Sequence, residues 1–194
     1  MTHPLFRAAI VVIIVAFGWT LAPLWDPWTG AWRWDTASSD GELSDYSAGT
    51  TWLVKGDQLF LMDVLRQRMD YPTLKKTVIH YARQYFAQVI LVENKGSGMS
   101  LIQDLRSGNF PVIACRPEAD KTTRMATASV LFESGAALLP EKAVWLDDFE
   151  AELFAFPNGR HDDQVDSTSQ ALNWFIKRQQ QKEEMIGPAI QAKW

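Results

Sequence analysis

The sequence has 194 residues, 47% of them hydrophobic, enough for one domain with a buried core. Its formal net charge of −4 argues against nucleic-acid binding driven by bulk charge, while leaving room for a local basic groove. A single cysteine, Cys115, excludes an intrachain disulfide and a cysteine-rich zinc site, and three well-separated histidines make a Cys/His catalytic pair improbable.

The chain opens on residues 8–25, which carry no charge and follow Arg7. By length this stretch fits a short membrane span or an uncleaved signal-like anchor, with Trp19, Trp25, Trp28, Trp32 and Trp34 as an interfacial belt. The other reading, which the rest of the chain favours, is a segment foreign to the domain, such as the start of a truncated gene. The expected boundaries are an apolar segment over 1–29, a folded domain over 30–180 and a polar tail over 181–194.

Within the domain, residues 31–37 alternate bulky and polar side chains and read as a strand. A polar loop leads to strands over 50–54 and 58–65, joined at Lys55-Gly56-Asp57, so the three read as an antiparallel meander. Pro72 starts a helix with Leu74, Val78, Ala82 and Tyr85 on one face. The apolar run 88–93 has the signature of a strand buried on both faces, and it ends in Glu93 where a turn residue is usual.

After Gly96-Ser97-Gly98 the pattern gives a helix over 99–106, a buried strand over 111–115 and a helix over 119–134 closed by Gly135. A short strand over 136–139, a helix over 144–156 and a last helix over 162–181 follow, the tail beyond it fraying. This order is that of an α/β or α+β layered domain.

The turn Phe156-Pro157-Asn158-Gly159 leads into Arg160-His161-Asp162-Asp163-Gln164-Val165-Asp166. At helical spacing Asp163 and Asp166, or Asp162 and Asp166, can share a face. Gathered carboxylates cost energy unless a cation offsets them, and an all-oxygen donor set suits Mg²⁺ or Mn²⁺. A solvated acidic first turn complementing the helix dipole explains the same residues equally well. Asp35 on the 31–37 strand and Glu93 at the end of the buried run are the other acids whose positions let them meet this group.

The ordered set Trp34-Asp35-Thr36-Ala37, Asp45-Tyr46-Ser47, Leu91-Val92-Glu93-Asn94-Lys95-Gly96-Ser97-Gly98, Asp120-Lys121-Thr122-Thr123-Arg124, Phe156-Pro157 and His161 to Asp166 resembles the C-terminal nuclease domain of tailed-phage terminase large subunits. The resemblance spans about residues 32–176, and its specificity lies in the order of the segments rather than in any one of them. It implies an RNase H-like fold, α/β with a mixed sheet of an antiparallel three-strand meander plus parallel strands flanked by helices. It implies an endonuclease that cuts concatemeric phage DNA during genome packaging in a bacterial host's cytoplasm.

Carried over by position, the resemblance makes Asp35 and Glu93 catalytic metal ligands. Asp163 is the preferred third, Asp166 a second candidate and Asp162 an equal one, because the sequence does not fix the helix rotation. Two Mg²⁺ or Mn²⁺ ions about 4 Å apart would serve in-line hydrolysis of a phosphodiester in double-stranded DNA. Donors for phosphate are Lys95, Ser97, Lys121, Arg124, Arg160 and His161. The chain has no Gly-x-x-x-x-Gly-Lys-Ser/Thr phosphate loop, so it reads as a prophage remnant, a split gene whose ATPase is a separate chain, or a stand-alone nuclease. A separate ATPase chain, a small terminase subunit or a portal are the partners the resemblance allows. Two other readings stay open: an inactive prophage-remnant binding module, and a membrane-anchored protein contacting the bilayer through residues 8–25.

Overall fold

The computed structural model describes residues 10–16, 46–116 and 119–190. Six strands form one sheet in the order β5-β4-β1-β2-β3-β6. They are β1 (Ile10–Ala16), β2 (Tyr46–Lys55), β3 (Gln58–Arg68), β4 (Val89–Glu93), β5 (Val112–Cys115) and β6 (Ala137–Leu138). Helices α1 (Tyr71–Gln84) and α2 (Ser97–Ser107) cover one face; α3 (Lys121–Glu133), α4 (Leu146–Ala155) and α5 (Asp163–Ile190) cover the other.

The expected α/β class, a mixed sheet flanked by helices, is the observed one. The meander differs. Strands β2 and β3 form the expected antiparallel hairpin, but the other neighbour of β2 is Ile10–Ala16, which lies parallel to it and antiparallel to β4. Residues 10–16 were read as part of the apolar segment outside the domain. Their uninterrupted run Ile-Val-Val-Ile-Ile-Val-Ala is what a strand buried on both faces requires. Val12 and Ile14 enter the core under α5, and Ile13 the core under α1 and α2. The expected strand 31–37, with Asp35, lies outside the described residues, as does the rest of the 8–25 stretch. No helix among the described residues is long and apolar enough to cross a membrane.

Local chemistry sets the helices. Asp70 caps α1, its Oδ1 accepting the Thr73 N–H at 3.0 Å, and Pro72 sits in the first turn. Leu74, Val78 and Ala82 then fall at i, i+4 and i+8 and are all buried. Asp120 caps α3 in the same way through Thr123. Helix α5 runs on through Ile190, past the expected end at 181, because Lys182-Glu183-Glu184-Met185 continues it with strong helix formers.

Candidate functional site

One sheet edge gathers the chemistry. Strands β4 and β5 are parallel and end there, with Glu93 beside Cys115. The residue pairs Val11 with Val92 and Val11 with Gly49 bring the end of β4 level with the beginning of β2. Glu93 therefore lies about 10 Å, two strand spacings, from the start of β2. Helices α2 and α3 start at this edge because they follow β4 and β5. Helix α5 starts there too: Thr50 Oγ1 and Ser167 Oγ are 2.9 Å apart, and the rings of Tyr46 and His161 meet edge-on at 5.7 Å. In open α/β sheets this carboxyl end of the strands is where ligands bind.

Glu93 faces the α5 side. Strand alternation requires it, since Ile90 and Val92 enter the α1/α2 core and Leu91 the α5 core. The Cys115 thiol registers the same placement: burial pushes it up, the Glu93 charge adds to the rise, and Lys177 opposes it. Gly96, at φ 55°, caps α2 without a side chain. Gly98 is required by close approach, since a Cβ there would collide with the Glu93 carbonyl oxygen. The Gly-Ser-Gly stretch thus lets α2 close down on the end of β4.

The acidic start of α5 divides. Lys121 Nζ bridges Asp162 and Asp166 at 2.6 Å each, and Arg124 adds a 2.6 Å bond to Asp166, which is buried. Asp163 turns the other way, toward Arg66 on β3, with Nε and Oδ2 4.0 Å apart. Asp162 and Asp166 share a face as the spacing allows, whereas Asp163 and Asp166 have different partners. Burial pushes the Asp163 carboxyl above its ordinary range and the Glu152 charge adds to this, while Arg66 pulls it down.

Glu152 and Arg66 are neighbours of Asp163 that the sequence does not single out. Glu152 is buried and accepts the Gln164 and Val165 N–H groups at 2.6 and 3.3 Å, so a residue of α4 caps α5. The signal was present: Phe149, Glu152 and Leu153 fall at i, i+3 and i+4 on one apolar face, where a carboxylate needs partners. Arg66 Nε lies 3.6 Å from Glu152, and its guanidinium stacks 4.3 Å from the Tyr46 ring centre. Arg68 covers the same ring at 4.8 Å.

Of the expected phosphate donors, Lys95 and Arg160 are exposed and Ser97 and His161 half-buried, while Lys121 and Arg124 are engaged by Asp162 and Asp166. Among the described residues no three His, Cys, Asp or Glu side chains form a group able to hold a metal ion.

A family model described as the terminase RNaseH-like domain matches residues 33–175. The chain belongs to the terminase RNaseH-like domain family. The match covers most of the chain, including Glu93 and the start of α5, but not β1, which lies between β4 and β2. Membership gives the chain a nuclease-type role among terminase domains. None of the curated proteins matches the chain.

Proposed function

We propose that this chain is a metal-dependent DNA endonuclease of the packaging machinery, cutting concatemeric DNA by phosphodiester hydrolysis. The reading is supported by the family match, with Glu93 closing β4 on the face that α5 covers and Asp163 in the first turn of α5 at the same end of the sheet. Asp35, Glu93 and Asp163 are the proposed ligands of Mg²⁺ or Mn²⁺. The fit rests on Asp163: a half-buried carboxylate beside the Glu152 charge, only partly offset by Arg66, is a site that a hard cation relieves. When bound, a pair of such ions supplies stabilisation of the charge that builds on the attacking and leaving oxygens.

The chain's own residues supply the rest. Glu152 fixes the first turn of α5 and so aims Asp163. Lys95, exposed one turn from Glu93, and Arg160 contact backbone phosphate. His161, edge-on to Tyr46, is the proposed donor of a proton to the leaving oxygen. Double-stranded DNA is the proposed partner, with a separate ATPase chain, a small terminase subunit or a portal delivering it.

A second reading, a binding module that keeps the fold without the chemistry, draws on one observation: Lys121 and Arg124 neutralise Asp162 and Asp166 without a metal ion. Plasmid nicking by the full chain in Mn²⁺ decides between the two. We expect nicking that Asp35→Ala, Glu93→Gln and Asp163→Asn each abolish. A wild-type protein that leaves the plasmid intact, or variants that nick as well as wild type, would overturn the nuclease reading. A rise in Tm with added Mn²⁺, lost in Glu93→Gln, gives a readout independent of cutting.

A further inference from the structure

We propose that the groove between α3, the end of β5 and α5 seats a single DNA strand beside the cutting edge, and that Gln170 is the residue that positions it. The proposal rests on the nuclease reading of the same edge and names the strand-holding part of it.

Asp166, Gln170, Asn173 and Lys177 fall at i, i+4, i+7 and i+11, so one stripe of α5 runs from the acidic first turn along the groove. The groove is lined by Arg116, Arg124, Gln170, Asn173, Trp174 and Lys177, with Cys115, the register partner of Glu93, at its inner end. Its cavity of about 290 Å³ suits one nucleotide unit and is too small for a duplex.

Gln170 is the feature that needs a ligand. Its side chain is 6% exposed, and neither its amide nitrogen nor its amide oxygen has a hydrogen-bond partner among the described residues. A buried donor and acceptor left unpaired cost the fold free energy. The Arg124 Nε–H in the same groove is likewise unpaired among the described residues, while the other polar groups beside them are engaged. The Asn173 amide donates to the carbonyls of Arg124 and Ser169 at 2.8 and 2.7 Å, and Arg124 holds Asp166. The Gln170 amide therefore remains to bond a sugar or base edge.

The surroundings fit a nucleic-acid strand. Arg116 and Lys177 bring positive charge to the phosphates, and Trp174 offers an aromatic surface backed by the Arg178 guanidinium 5.2 Å from its ring centre. Cations interleaved with an aromatic ring are how single strands are held without sequence preference.

The test uses the full chain, a fluorescein-labelled 12-nucleotide single strand and a duplex of the same sequence, read by anisotropy in Ca²⁺. Gln170→Met keeps the length and removes both hydrogen-bonding groups. We expect it to weaken single-strand binding about tenfold, to leave duplex binding near wild type, to raise KM for nicking more than it lowers kcat, and to raise Tm. The gain in Tm separates a ligand-directed amide from a structural one, whose loss would lower Tm. Lys177→Ala, on the exposed rim, is expected to weaken single-strand binding and flatten its salt dependence, and carries the test if Gln170→Met does not fold. Wild-type nicking with unchanged single-strand affinity in both variants would overturn the groove and leave the nuclease reading standing. Absent nicking with single-strand binding lost in both variants would do the reverse.

Discussion

Glu152 grips Gln164 twice, accepting its backbone N–H at 2.6 Å and its side-chain Nε2–H at 2.7 Å. This pair joins α4 to the first turn of α5 and sets the rotation of the helix that carries Asp163. Removing the carboxylate in Glu152→Ala leaves the Gln164 and Val165 N–H groups buried without their acceptor. The expected loss is about 2–3 kcal/mol, or roughly 5–10 °C in Tm. A thermal scan showing less than a degree of change would mean that another group caps the helix.

Asp162 and Asp166 share Lys121 yet differ in burial, with side chains 40% and 7% exposed. Exposed ion pairs contribute about 0–1 kcal/mol, so Asp162→Ala is expected to leave the urea midpoint almost unchanged. Asp166→Ala strands the Arg124 guanidinium, itself 12% exposed, and should cost about 3–5 kcal/mol. The double variant Asp166→Ala, Arg124→Leu should recover much of that loss. Equal effects of the two single variants would contradict the burial difference.

Gly98 faces the backbone carbonyl of Glu93, which cannot swing aside as a side chain can. Gly98→Ala forces α2 away from β4 and is expected to cost about 1–3 kcal/mol. Gly56→Ala tests a different mechanism: there is open space around a Cβ, but the residue sits at φ 62°, so only backbone strain of about 1 kcal/mol is expected. Denaturant titrations that rank Gly56→Ala as the more damaging would refute the collision at Gly98.

Asp63 lies on β3 away from the candidate site. Burial raises its carboxyl above the ordinary 3.8, although the Tyr85 hydroxyl and the Val64 N–H donate to it at 2.9 and 2.8 Å. The folded protein thus keeps this proton at pH values where the unfolded chain has lost it. Stability is therefore expected to fall as pH rises from about 4 through the folded value, and then to level off. Asp63→Asn, which cannot titrate, should lose that component. Urea midpoints of the two proteins that run parallel across this range would remove Asp63 as the source.

Much of the architecture follows from local periodicity. Leu74, Val78 and Ala82 mark the buried face of α1, and the run ending in Glu93 marks a strand covered on both sides. Those patterns are legible because strand and helix repeats depend only on neighbours in the chain. The acidic start of α5 is likewise visible as a cluster, since Asp162, Asp163 and Asp166 fall within five positions.

What that cluster does was decided elsewhere. Gln164 through Gln170 are all buried, six polar residues among them, because β2, α3 and α4 enclose the helix. From the chain alone the acidic first turn reads equally as a metal site or as a solvated turn. Asp166 turns inward because Lys121 and Arg124 meet it from α3, and Asp163 turns to β3 because Glu152 fixes the helix end. The apolar stretch 10–16 had the composition of a buried segment, but only the sheet shows it lying between β4 and β2. Composition and repeat determine which residues need cover, whereas the direction each polar side chain takes depends on partners dozens of residues away, and those partners meet it only when the layers pack.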